Sequence, residues 1–178
     1  LYLALVGLGI GPGDEVIVPG FTYVATISSV VYARAVPVLA EIDGTFDLDP
    51  ADVEARVTPR TKAIVVVHML GAPARIDELR AVADRHGLAL IEDAAQAFGA
   101  THRDRWLGSI GDVGAYSFNE YKTITAGDGG MLVTSDDQLF ERCFAMHDQG
   151  QVQDGRGLAV PDAPALGLNF RMTEIQGD

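Results

Sequence analysis

Four short apolar runs, EVIVP at 15–19, VPVLAEI at 36–42, AIVVVH at 63–68 and LALIED at 88–93, constrain this chain more than anything else in it. None alternates apolar with polar residues, so a strand built from any of them needs cover on both faces. Stretches with helical spacing lie between them, joined by short connections. Strand and helix in alternation build a largely parallel sheet through right-handed crossovers, which sets the fold class as α/β. The chain has 178 residues, 48% of them hydrophobic. At that length about 70% of the unfolded surface can be buried, enough for a sizeable core.

The helical stretches carry their own punctuation. Residues 2–8 read as the end of a helix closed by glycines, and residues 23–34 as a helical pattern. Asp49 followed by Pro50 is an N-cap with proline at the first helical position, starting a helix that runs to about Arg56. Residues 76–86 are amphipathic and stop at Gly87. Asp136 caps a helix reaching about His147. Further strands are expected over 113–117 and 131–134, and a short hairpin over 101–107, turning at Arg103 to Arg105. The stretch 149–166 is rich in Gly, Pro, Asp and Gln and reads as a mobile loop. The first residues lie inside a helical pattern with no cap before it, and NFRMTEIQGD at the other end enters a helix, so the expectation is a piece of something longer.

Charge narrows the function classes. Against 25 Asp and Glu the chain has 13 Lys and Arg, a formal net charge of -12. Nucleic acid and anionic membrane surfaces both call for a basic patch, so neither is an expected partner, and an anionic ligand must be held by local donors. The one cysteine, Cys143, cannot form an internal disulfide. No apolar run reaches the roughly 18 residues of a membrane span and no signal-peptide pattern opens the chain. The expected location is cytoplasmic.

GLGIGPG, residues 7–13, invites a dinucleotide-binding reading, but Pro12 breaks the G-x-G-x-x-G spacing and the context is inverted: a helix precedes and a strand follows. It reads instead as a helix stop and tight turn. His68, His86, His102 and His147 show no metal-ligand spacing among themselves or with Cys143, so no metal is expected. No serine sits in G-x-S-x-G. More informative is EDAAQAFGA at 92–100, because ligands of open α/β sheets bind beyond the carboxyl ends of strands, where Asp93 stands. By itself Asp93 reads first as the N-cap of a short helix AAQAF, and Ser117, at the end of its own strand, as the start of a turn. Lys122 follows five residues later in SFNEYKTITAGDGG, a loop whose glycines let backbone approach a ligand. An acid, a hydroxyl and an amine at neighbouring strand ends are the parts of a pyridoxal phosphate site, which needs an amine for the Schiff base, a carboxylate to keep the ring nitrogen protonated and donors for the phosphate.

The runs GIGPGDEVIVPGFTYVAT, TPRTKAIVVVH, IEDAAQAFGA, GDVGAYSFNEYKTITAGDGGMLVT and LGLNFRMTEIQ, in that order over nearly the whole chain, closely resemble the DegT/StrS family of sugar aminotransferases. The resemblance implies a three-layer α/β/α fold with a mostly parallel mixed sheet, the large domain of fold-type I pyridoxal phosphate enzymes, over residues 1–178, cut at both ends and without the small C-terminal domain. It implies pyridoxal 5'-phosphate as cofactor, with Lys122 as its Schiff-base lysine and Asp93 paired with the ring nitrogen. It further implies Gln96 near the phenolic oxygen, Ser117 on the phosphate, Tyr23 stacked on the ring, and Asn169, with Arg171 as the weaker candidate, reaching a partner's phosphate in a homodimer. GDGG stands where the family has GEGG and PGFTY where it has PSFTF, and the family's G-T-x-A-L segment would precede residue 1.

The activity implied is transfer of an amino group from glutamate or glutamine to a keto group of a nucleotide-linked sugar or cyclitol. Within the family, a sugar dehydratase would have histidine in place of Lys122; an aminobenzoate-type synthase shares these residues. From another class, a dinucleotide-binding oxidoreductase or a non-catalytic module on the same sheet stays open, because fold alone does not set chemistry.

Overall fold

The computed structural model describes residues 1–150 and 166–177. Among the described residues eight strands form: β1 (Glu15–Pro19), β2 (Val36–Ala40), β3 (Thr61–Val67), β4 (Ala89–Asp93), β5 (Thr101–His102), β6 (Arg105–Trp106), β7 (Val113–Ser117) and β8 (Gly130–Val133). Six of them make one sheet in the order β2-β1-β3-β4-β7-β8, while β5 and β6 pair as a separate hairpin. Every neighbour in the large sheet is parallel except β8, which returns antiparallel to β7. The mostly parallel mixed sheet is thus present.

Helices cover both faces because the strands alternate their side chains between them. Val16, Val18, Val65, Ile91 and Val113 face α1 (Tyr2–Gly7), α2 (Val24–Tyr32) and α5 (Asp137–His147), meeting Leu5, Val30 and Leu139. Ile17, Ile64, Val66 and Leu90 face α3 (Pro50–Arg56) and α4 (Ile76–His86), meeting Val53, Leu79 and Val82. Each such side chain contributes roughly 1.5–3 kcal/mol by leaving water, which is what holds three layers together. The edge strands are less covered: Val36 and Leu39 of β2 and Met131 of β8 are exposed, because an edge strand has a neighbour on one side only, and β2 carries Pro37, whose missing N–H is tolerated there.

Helix ends follow the expected chemistry. Asp49 Oδ1 accepts from Ala51 N–H at 3.0 Å, Asp136 Oδ1 accepts from Leu139 N–H at 3.0 Å, and Gly87 takes the left-handed conformation that closes α4. Arg103 and Asp104 both have positive φ, the two-residue turn whose twist suits a hairpin. Two expectations fail or fall outside. No helix forms over 94–98; Ala97 N–H reaches Ala94 O and Ala100 N–H reaches Ala97 O, giving two consecutive turns. The stretch 149–166 lies, over 151–165, outside the described residues. The C-terminal α6 (Glu174–Gly177) is a single turn in which Gln176 Oε1 accepts from Thr173 N–H at 3.0 Å. No helix among the described residues is long and apolar enough to cross a membrane.

Asp47 is a polar intruder in this core. Its Oδ1 accepts from Met69 N–H at 3.1 Å, but its buried Oδ2 has no partner among the described residues. Burial pushes its carboxyl above the ordinary aspartate range, more than the Met69 hydrogen bond pulls it down. A raised folded-state value means the proton favours folding at low pH, and that favour is lost as pH rises. Asp47→Asn keeps the acceptor for Met69 and removes the charge. It is expected to raise the unfolding free energy of the intact protein by about 1 kcal/mol at pH 7, with a gain that shrinks in acid. Denaturant titration at the two pH values checks this, and an unchanged midpoint at pH 7 would contradict it.

Candidate active site

Parallel strands end on one edge, and the loops leaving β1, β4 and β7 meet there. Asp93 ends β4 and lies opposite Ala115 of β7, so Ser117 ends β7 just beyond it. Lys122 lies in the loop from β7 to β8, and Tyr23 immediately precedes α2, after β1. Sheet topology therefore delivers these side chains to one edge from positions far apart in sequence.

Alternation separates the two adjacent acids of β4. Asp93 points to the α2 face and is only 7% exposed. Its Oδ2 accepts from Thr26 Oγ1 at 2.8 Å and its Oδ1 from Ala95 N–H at 3.2 Å. The second bond is the cap-like contact anticipated from sequence, without the helix. Both donors are neutral, and no ion pair among the described residues involves Asp93 or Lys122. A buried carboxylate held only by neutral donors suits a cationic nitrogen.

The lysine loop is held by its own backbone. Asn119 N–H donates to Ser117 Oγ at 3.3 Å, Lys122 N–H to Asn119 O at 2.9 Å, and Ala126 N–H to Phe118 O at 2.9 Å. Gly127 and Gly129 turn the chain with φ of 80° and 137°. A Cβ on Gly129 would stand 2.9 Å from Met172 Sδ, so that glycine also admits the C-terminal segment. Ser117 accepts a bond and keeps its own O–H free to donate. Gln96 Oε1 accepts from Leu70 N–H at 2.9 Å, which fixes the amide and leaves its Nε2 hydrogens available. Tyr23 is 69% exposed, and no other aromatic ring among the described residues pairs with it.

Asn169 and Arg171 make their polar contacts with each other and with Asp148. Asn169 Oδ1 accepts from Arg171 N–H at 3.2 Å, Asn169 bridges to Asp148, and Arg171 Nε is 3.1 Å from Asp148 Oδ1. Phe170 packs on Tyr2 with ring centroids 5.9 Å apart, tying the segment to α1. A cavity of about 650 Å³ opens beside β8, lined by Tyr2, Met131, Phe144 and Phe170 among others; of the seven candidate residues only Arg171 lines it.

Sequence reasoning missed two groups. One is Thr26, beneath Asp93. The other is Glu92, fully buried on the α4 face, where His68 Nε2 lies 2.8 Å from Oε2, Gly108 N–H donates to Oε2 at 2.7 Å, and Ile110 and Gly111 N–H donate to Oε1 at 2.5 Å. Ala74 N–H donates to His68 Nδ1 at 3.2 Å, so Nδ1 is the accepting nitrogen and Nε2 the one that faces Glu92. Burial pushes the Glu92 carboxyl up, but the bonds from His68, Gly111 and Gly108 together outweigh it and hold the group below the ordinary glutamate range. The legible signal was period-2 alternation: of two consecutive acids at a buried strand end, one must enter the core.

The profile of the DegT/DnrJ/EryC1/StrS aminotransferase family matches residues 1–177. Over 177 residues the chain is 50% identical to the GDP-perosamine synthase of Caulobacter vibrioides, covering 99% of this chain and 47% of that protein. It is 49% identical over 183 residues to the L-glutamine:2-deoxy-scyllo-inosose aminotransferase of Streptoalloteichus tenebrarius, covering 99% of this chain and 43% of that one. The chain thus spans less than half the length of these relatives. Among solved structures, the aminotransferase from Psychrobacter cryohalolentis superposes with a TM-score of 0.89 at 42% identity, over 99% of this chain and 47% of that one.

Proposed function

The chain belongs to the DegT/DnrJ/EryC1/StrS aminotransferase family, and from that premise we propose that it carries most of a pyridoxal 5'-phosphate site serving transfer of an amino group from glutamate or glutamine to a keto group of a nucleotide-linked sugar or cyclitol. The observation that carries this reading is the pairing of β4 with β7, which puts the buried carboxylate of Asp93 and the loop bearing Lys122 on adjacent strand ends. The relatives named for a GDP-linked sugar and for a cyclitol support the acceptor class.

When bound, the cofactor supplies an electron sink for the charge left on the substrate carbon. The chain's own groups do the rest. Lys122 Nζ would hold the cofactor covalently and, as a free amine, would be the base that moves the proton at the substrate carbon. Asp93 would keep the ring nitrogen charged, Tyr23 would cover the ring face, Gln96 Nε2 would donate to the phenolic oxygen and Ser117 O–H to the phosphate. Asn169 serves the phosphate of a second copy in a homodimer; Arg171 is the weaker choice, since Asp148 already engages it. Residues 1–178 form the cofactor-binding large domain of a cytoplasmic enzyme in this reading.

Borohydride reduction of the intact, cofactor-loaded protein is expected to bleach its visible band and to leave the label on the peptide containing Lys122, as read by mass spectrometry. Turnover of glutamate or glutamine with a panel of keto-sugar nucleotides and keto-cyclitols then identifies the acceptor. A label on another lysine, or no label, would overturn the assignment.

A further inference from the structure

We infer that Thr26, braced by Thr22, is a positioning residue for Asp93: a two-hydroxyl relay, running from the loop before α2 into its first turn, fixes the carboxylate in the orientation that meets the cofactor's ring nitrogen. This rests on the proposed role of Asp93. The observation is a chain of hydrogen bonds linking residues 67 apart in sequence: Thr26 Oγ1 donates to Asp93 Oδ2 at 2.8 Å in a buried contact, and Thr22 Oγ1 lies 2.9 Å from Thr26 Oγ1. A hydroxyl has one proton. Since an ionised Asp93 can only accept, Thr26 spends its proton on the carboxylate and must accept from Thr22, which gives the relay a single direction, Thr22 to Thr26 to Asp93. Aligned donors polarise one another, so the terminal bond is stronger than an isolated one.

The backbone around Thr26 is set for this. Tyr23 O accepts from Thr26 N–H at 3.1 Å, and Ser29 Oγ donates to Thr26 O at 2.8 Å, so the first turn of α2 is fixed on both sides of the hydroxyl. The same turn follows Tyr23. One short segment therefore presents the ring that covers the cofactor and the hydroxyl that aims the acid beneath it. With Ala95 N–H on Oδ1 and Thr26 on Oδ2, each carboxylate oxygen has one fixed donor, and rotation about the Cβ–Cγ bond breaks both.

The test uses the intact, loaded protein and reads the cofactor as well as the rate. Thr26→Val is nearly isosteric and removes only the donor; Thr26→Ser restores it; Thr22→Val removes the brace. A hydrogen bond to a buried charge corresponds to roughly a tenfold change or more. Thr26→Val is expected to weaken cofactor affinity about tenfold, to lower kcat with little change in KM for the amino donor, and to move the visible band at fixed pH in the same direction as Asp93→Asn but less far. Thr22→Val should give a smaller change of the same kind, and Thr26→Ser should return affinity and spectrum to wild type. If Asp93→Asn shifts the spectrum while Thr26→Val leaves spectrum and affinity unchanged, the relay is refuted and the role of Asp93 stands. If Asp93→Asn itself shifts neither, the reading of Asp93 falls, and the relay with it. Should Thr26→Val lower only thermal stability, with serine giving no rescue, Thr26 is a packing residue and the inference is wrong.

Discussion

Lys122→Ala is expected to abolish amino transfer, lowering kcat/KM of the intact enzyme by ~10⁴-fold or more while leaving the fold in place. Two functions vanish together in that variant: the nucleophile that holds the cofactor and the base that moves the proton. The loop itself should survive, because its order comes from backbone bonds, Lys122 N–H to Asn119 O and Ala126 N–H to Phe118 O, neither of which uses the lysine side chain. Lys122→Arg separates charge from reactivity: a guanidinium keeps the positive charge but stays protonated at any working pH, so it can neither form the covalent link nor accept a proton. Both variants should therefore be equally inactive. Arginine activity near wild type would reduce Lys122 to an electrostatic contact, and alanine activity near wild type would remove it from the chemistry. Circular dichroism and the thermal midpoint of both variants show whether the fold is retained.

How much of this was legible from sequence depends on how local the determining physics is. The apolar runs became strands within one or two residues of their expected ends, and Asp49, Asp136 and Gly87 act as caps or stops, because caps and buried strands are decided by neighbours along the chain. The identity of the edge strand was hidden. VPVLAEI reads as a strand covered on both faces, yet Val36 and Leu39 are exposed, since which strand ends the sheet is a property of topology. The loss of the AAQAF helix has a similar cause: Gln96 spends its side chain on Leu70 N–H and the segment resolves into turns. Asp93, Ser117 and Lys122 could be found because strand ends are where ligands bind in such sheets. Thr26 could not, because nothing in TYVAT says that the hydroxyl will meet an acid far along the chain.

Glu92→Gln is expected to destabilise the intact protein by about 2–4 kcal/mol at pH 7, although it changes the side chain by little more than one charge. Among the described residues, every hydrogen bond of this carboxylate is with a donor: His68 Nε2 and the backbone N–H groups of Gly108, Ile110 and Gly111. An amide supplies one acceptor oxygen and turns an NH₂ toward the remaining N–H groups, leaving buried donors facing a donor. Those glycine amides also have no room to retreat, because a Cβ on Gly108 would lie 2.5 Å from Tyr116 Oη and one on Gly111 2.5 Å from Leu90 O. The pH dependence follows from the depressed folded-state value of Glu92. Its stabilisation is complete above the ordinary glutamate value of about 4.3 in the unfolded chain and is lost as pH falls through the lower folded value. The gap between wild type and Glu92→Gln should therefore be full at pH 7 and narrow progressively in acid below that range, as read by denaturant midpoints. A gap that is constant from pH 7 into the acid range, or one that closes near neutrality, would show that the carboxylate charge is not what ties the end of β4 to the segment before β7.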